Sequence, residues 1–277
     1  PSDLNQLSPK EIQECLKARL GLTTSELAKV APGLKYLLHY PYGCVEQTSS
    51  GIIPLAALRK LIMEGLIPGF TEAQIDKFLK PGITRLFTMQ TGSGGLAYWP
   101  GEREPSWWGT LYGLFALSMA KEAGYEVPEE RLRSIVSYVH KNLFGEHGGA
   151  NYHRYGIDEL AAVDLAMNQY LTHENLGLLM KDYDSKSLEG QAYLIWADAL
   201  VKMSPPAKLK ERLKKLNPQP DSARTDWYDS SNREIAAVMS ALTEVDAQEK
   251  RLDDLAGQLM KSVQPDGRWH STADTGF

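Results

Sequence analysis

Two side chains in this 277-residue sequence could react with each other. Cys44 places a thiol three residues before the side-chain carboxamide of Gln47, inside Tyr40-Pro41-Tyr42-Gly43-Cys44-Val45-Glu46-Gln47. If Cys44 attacks the Gln47 carboxamide and ammonia leaves, a thioester closes a ring within the chain. Two intervening residues let that ring close without strain if the backbone turns, and Pro41 and Gly43 mark a sharp turn there. The product would be an electrophile. A nucleophile reaching the Gln47 carbonyl would be acylated, and Cys44 would leave as thiolate. The competing reading is plain: a cysteine after a Pro-Gly turn is by type a small buried residue.

The elements around the pair must place it at a helix start. A helix-like run, Leu34 to His39, leads into it. From Glu46 to Glu64, the apolar positions Ile52, Ile53, Leu55, Leu58, Leu61 and Ile62 follow a helical, largely buried pattern that Gly65 stops. Free N–H groups at a helix N-terminus favour anions, including a leaving thiolate.

The rest of the chain reads as helix after helix. Ser8-Pro9-Lys10-Glu11 is a capping box with proline at the first helical position, and Gly21 ends that helix. A short helix capped by Thr24 or Ser25 reaches Pro32. Thr71 caps a helix running to Gln90, with a kink or break expected at Pro81-Gly82. Further helices are predicted over 106–123, 128–143, 157–171, 185–203, 206–216, 231–245 and 247–263. Gly-aromatic loops interrupt them at Gly94 to Gly101, Gly148 to Tyr152 and Asp266 to Trp269. Period-2 strand patterns are almost absent. The pattern alone supports an all-α fold of paired helices.

Composition narrows the function classes. A net charge of −5 points to no nucleic-acid partner. No apolar run approaches membrane-span length, and no signal peptide opens the chain. The hydrophobic fraction of 43% is ordinary for a globular protein. Cys15 sits in a helical pattern with Ile12, Leu16 and Leu20 and reads as a core residue; neither cysteine has zinc-site spacing. No metal or cofactor is expected. His-Glu-x-x-His, Gly-x-Ser-x-Gly and a phosphate-cradling loop are all missing; Gly92-Ser93-Gly94-Gly95 lacks the lysine a P-loop needs.

The segment Pro41 to Gln47 resembles the thioester motif of the alpha-2-macroglobulin and complement family, Pro-x-Gly-Cys-Gly-Glu-Gln. It departs only at Val45, which stands for a glycine and resembles the bacterial branch. Trp107 to Leu117, with Thr110 and Tyr112, resembles the family's next helix start, Trp-x-Thr-x-Tyr. Gln264-Pro265-Asp266-Gly267-Arg268-Trp269 with Ser271-Thr272 resembles a loop-and-strand-like element near the end of the same domain. The resemblance covers nearly the whole chain.

It implies an α/α toroid with inner and outer helix rings, and one thioester domain, 1–277, excised from a larger multidomain protein. It implies Cys44 and Gln47 as the cross-link, with Glu46, Tyr40 and Gly43 in support. Tyr40 is the preferred aromatic lid keeping water off the ring, and Glu46 caps the helix start or orients the ring amides. Val45 disfavours the positive φ a glycine could take.

The implied activity is a single-use protease trap rather than an enzyme. A protease cuts a bait region elsewhere in the parent protein, the thioester is exposed, and a lysine amine of the protease attacks Gln47. The implied setting is host defence by a periplasmic, membrane-anchored parent, in which neighbouring domains contact this one. Some family members use a histidine to steer transfer toward hydroxyls; His147 and His153 lie at roughly the right sequence distance but read as loop residues. Without such help amines are favoured. Two alternatives stay open: an α/α-toroid enzyme of terpenoid-cyclase-like architecture, although no Asp-rich acid motif is present, and a binding-only toroid without thioester.

Overall fold

The structure is a computed structural model, and it describes residues 26–37, 43–67, 69–145, 158–220, 230–269, 271 and 274. The predicted helix at Ser8–Gly21, Cys15, Tyr40, Pro41, Tyr42, the Gly148–Tyr152 loop, His147 and His153 lie outside the described residues.

Two kinds of helix alternate along the chain. The first kind comprises α2 (Val45–Met63), α4 (Trp107–Glu122), α6 (Asp158–Met167), α8 (Leu188–Val201) and α10 (Ser231–Asp246). On α4 and α6 buried residues occupy every face, as expected of helices enclosed by neighbours. The second kind comprises α3 (Glu72–Thr88), α5 (Glu129–Phe144), the short α7 (His173–Leu179), α9 (Pro206–Lys215) and α11 (Arg251–Ser262). These bury a single stripe, such as Leu132, Ile135, Val136 and Val139 on α5.

The packing follows that split. Helices α2, α4, α6, α8 and α10 contact one another in succession and form the inner ring. Helices α3, α5, α7, α9 and α11 lie outside, each against an inner neighbour. Near its end the chain meets its first described helix, α1 (Glu26–Leu37), which packs on α2. There Gly33 and Gly267 bring two backbones together with no room for a Cβ on either, and Arg268 lies 4.0 Å above the Tyr36 ring. The fold is the all-α toroid of paired helices. Among the described residues there is no strand, only one isolated antiparallel bridge between Gln90 and Leu96.

Local chemistry sets the boundaries. Thr71, Ser106, Ser187 and Ser230 each accept a backbone N–H at a helix start, each cap being worth about 1 kcal/mol. Gly65, at φ 74°, follows the end of α2, a backbone state that costs glycine little. Leu114 is fully buried on α4, and truncation to alanine would cost about 2–5 kcal/mol.

Three expectations need correction. The helix ending at Pro32 and the run from Leu34 are one helix, α1, with Pro32 inside it. Helix α3 continues through Pro81 without a break. Its Gly82 lets Ile52 of α2 approach to 3.1 Å of where a Cβ would stand, so packing on the inner ring holds the helix through the proline. Finally, a separate α7 and a 3₁₀ turn (Met180–Ser185) precede α8, which starts only after Ser187.

Candidate functional site

Cys44 is the residue that starts α2. Its backbone is extended (φ −66°, ψ 178°), and the helix begins at Val45. The Gln47 side chain folds back over this start: its Oε1 accepts the Cys44 backbone N–H at 3.3 Å. In return the Cys44 side chain faces the Gln47 backbone N–H, a reciprocal capping box with sulfur in the usual place of a hydroxyl. Thiol and carboxamide are therefore held against one another by the first helical turn. Cys44 is buried and Gln47 half-buried.

The turn before the helix is shaped for this. A Cβ on Gly43 would come 2.6 Å from Gln47 Cβ and 2.9 Å from its Oε1, so only glycine leaves Gln47 room to fold back. The Gly43 carbonyl accepts Arg85 Nε and Nη2, both at 3.3 Å, and Thr48 Oγ1 at 3.4 Å. Arg85 of α3 thus pins the peptide that enters the site.

Val45 has the negative φ of a helical residue; Gln169 and Lys202 are the non-glycine exceptions among the described residues. It is fully buried against α4, where two glycines make its pocket. A Cβ on Gly109 would lie 2.6 Å from Val45 Cγ1, and one on Gly113 would lie 3.3 Å from Cγ2. The valine that departs from the family motif is thus matched by glycines one turn apart on the facing helix. The first Gly-aromatic loop completes the anchoring. Its Tyr98 carbonyl accepts the Val45 N–H at 3.0 Å, and Thr110 Oγ1 fixes the loop by accepting from Leu96 N at 2.8 Å.

Glu46 is 1% exposed and points into the ring. Its Oε1 accepts Ser50 Oγ at 3.1 Å, and its Oε2 lies 4.0 Å from Cys44 Sγ. The helix-start amide is capped by Gln47 instead. Ser50 Oγ is 3.0 Å from Tyr112 OH on α4. Since the Ser50 proton goes to Glu46, the tyrosine donates to Ser50. Burial pushes the Glu46 carboxyl up to about 7, with the Ser50 hydrogen bond pulling weakly the other way. Burial also pushes the Tyr112 hydroxyl far up, so it remains a donor. The sequence reading gave no role to Ser50 or Arg85. The i, i+4 spacing of Glu46 and Ser50, polar residues in a helix otherwise apolar on that side, was the available signal.

A second buried polar cluster lies further round the inner ring. Arg233 of α10 is 3.4 Å from Glu189 of α8 and 3.9 Å from Asp274. Tyr193 OH donates to Glu189 at 2.8 Å. Among the described residues no group of three or more acidic, histidine or cysteine side chains could hold a metal ion, and no helix is long and apolar enough to cross a membrane.

No protein-family model matches the chain. It is similar to alpha-2-macroglobulin of Escherichia coli, 27% identical over 94% of this chain and 16% of that protein. Its fold is similar to that of native E. coli alpha-2-macroglobulin from domain MG7 to the C-terminus, with TM-score 0.72 and 26% identity over 89% of this chain and 40% of that one. It is also similar to E. coli alpha-2-macroglobulin activated by porcine elastase, with TM-score 0.69 and 26% identity over 86% of this chain and 22% of that one. The chain therefore spans a small part of the relatives it matches.

Proposed function

Because the chain is alpha-2-macroglobulin-like in sequence and in fold, we propose that it is the thioester-bearing part of a protein that traps proteases covalently. The observation that carries this reading is the reciprocal contact at the start of α2, with Gln47 Oε1 on the Cys44 N–H and the Cys44 side chain on the Gln47 N–H. A thiol and a carboxamide so placed are ready to join. Sγ bonds to Gln47 Cδ, the C–N bond breaks, and ammonia leaves. The Cys44 N–H already donates to the carbonyl oxygen, so it supports the negative charge that develops there in formation and in attack. Burial of Cys44 keeps bulk water from the bond.

Trapping runs the chemistry forward once. The target is a protease. It cleaves a bait region in another part of the parent protein, the bond becomes accessible, and a lysine amine of the protease attacks Gln47 Cδ. The C–S bond breaks, freeing Cys44, and an isopeptide bond remains. The bond is consumed, so the protein is an inhibitor with a single turnover. We place the parent in the periplasm, anchored to the inner membrane as a lipoprotein, in a role of host defence, with its neighbouring domains shielding this one. Tyr40 is the lid we propose over the ring.

The test is adduct formation. The parent protein is mixed with elastase or trypsin and the products are resolved by denaturing gel and mass spectrometry. A protease joined through lysine to Gln47, absent in Cys44→Ala, supports the reading. Inhibition that persists undiminished in Cys44→Ala, with no adduct, rejects it.

A further inference from the structure

We propose that Glu46 is a catalytic proton carrier for making and opening the Cys44–Gln47 thioester, held in place by the Tyr112–Ser50 hydrogen-bond relay. The proposal rests on the thioester reading above and adds a residue to its chemistry.

The geometry is that of an acid–base group at the reacting atom. Glu46 Oε2 is the carboxylate oxygen 4.0 Å from Cys44 Sγ, in a site closed to bulk water. The other oxygen, Oε1, is tied to Ser50, and Ser50 to Tyr112, so the carboxyl cannot swing away. Among the described residues no cation pairs with it: it faces a hydroxyl from its own helix and, through that hydroxyl, a phenol from α4. The nearest charges act at one remove, Arg233 and Asp274 at the Tyr112 hydroxyl. Two nitrogens of Arg85, Nε and Nη2, are held by the Gly43 carbonyl. A carboxyl whose burial lifts it to about 7 can both take and give a proton near neutrality.

The proton balance closes within the site. In formation, the Glu46 carboxylate takes the proton of Cys44 Sγ as sulfur bonds to Gln47 Cδ. The resulting acid gives that proton to the departing nitrogen, and the C–N bond breaks to release ammonia. In attack by an amine, the C–S bond breaks and the acid form protonates the leaving sulfur. The carboxylate so formed then takes the surplus proton from the new amide nitrogen.

Glu46→Gln tests this, because glutamine can keep the bond to Ser50 but carries no proton at neutral pH. Fresh wild-type protein and variant are compared by intact mass, circular dichroism and methylamine uptake across pH. The expected result is a folded variant that loses ammonia, and takes up methylamine, about 100-fold more slowly or less, with partial recovery in Glu46→Asp. A variant that forms the bond as completely as wild type, and reacts at the same rate with the same pH profile, overturns the proposal and leaves the thioester reading standing. Wild type that never loses ammonia overturns both. Should Glu46→Gln fail to fold, Ser50→Ala decides. Losing the hydrogen bond that holds the carboxyl down must move the pH midpoint of methylamine uptake upward, and an unmoved midpoint overturns the proposal.

Discussion

Among the acidic groups buried along the inner ring, two centres are built differently. At the far one, Arg233 stands against Glu189 and Asp274, so charge is answered by charge. At the near one, among the described residues, Glu46 has Ser50 and the Cys44 thiol beside it and no cation. A buried carboxyl with a guanidinium partner is an architectural solution. Burial pushes both carboxyls toward the neutral form, with Arg233 pulling Glu189 back; for Glu46, which has no cation among the described residues, that is a cost unless the group has a proton to move. The difference separates a strut from the site proposed to react, although both lie among packed helices.

The comparison can be broken in several places. The largest effect is expected at the thiol itself: Cys44→Ala should abolish methylamine uptake altogether, read by intact mass, while leaving the fold intact. Removing the strut's cation comes next. Arg233→Met strands Glu189 and Asp274 without their counter-charge and should cost about 3–5 kcal/mol in denaturant unfolding, with little change in amine uptake where both proteins are folded.

The pH dependence probes the near centre. The folded-state carboxyl of Glu46 titrates at about 7 against 4.5 for the free group. Between those values the folded protein holds more protons than the unfolded one, so stability is retained below about 4.5 and lost as pH rises toward 7. At 1.36 kcal/mol per unit this is about 3 kcal/mol. Unfolding measured across that window should show a steeper fall in wild type than in Glu46→Gln. The smallest effect sharpens how the site is anchored. Gly109→Ala places a methyl against Val45 and should cost about 1–3 kcal/mol. Adding Val45→Ala should recover part of that in a double-mutant cycle.

Much of this site was legible in the sequence because the two groups proposed to react lie within one helical turn. Cys44, Gln47, the turn at Gly43 and the helix after it are neighbours along the chain, and local geometry follows from local residues. Thr71 as a helix cap and the pairing of helices were readable for the same reason. What escaped is what the ring assembles. Tyr112 reaches Ser50 across 62 residues, and Arg85 reaches Gly43 across 42. Val45 broke the motif by type, yet its match to Gly109 and Gly113 exists only once α2 and α4 pack. Pro81 carried a breaker signal that the packing of Gly82 against Ile52 overrode. Tyr40, the proposed lid, lies outside the described residues.

The central claim is that Cys44 and Gln47 join, and intact mass of fresh protein before and after methylamine tests it most directly. The account predicts a mass below that of the sequence by one ammonia, then a gain of one methylamine together with one titratable thiol. A fresh protein with the full sequence mass, a free Cys44 thiol from the outset and no gain with methylamine would contradict it.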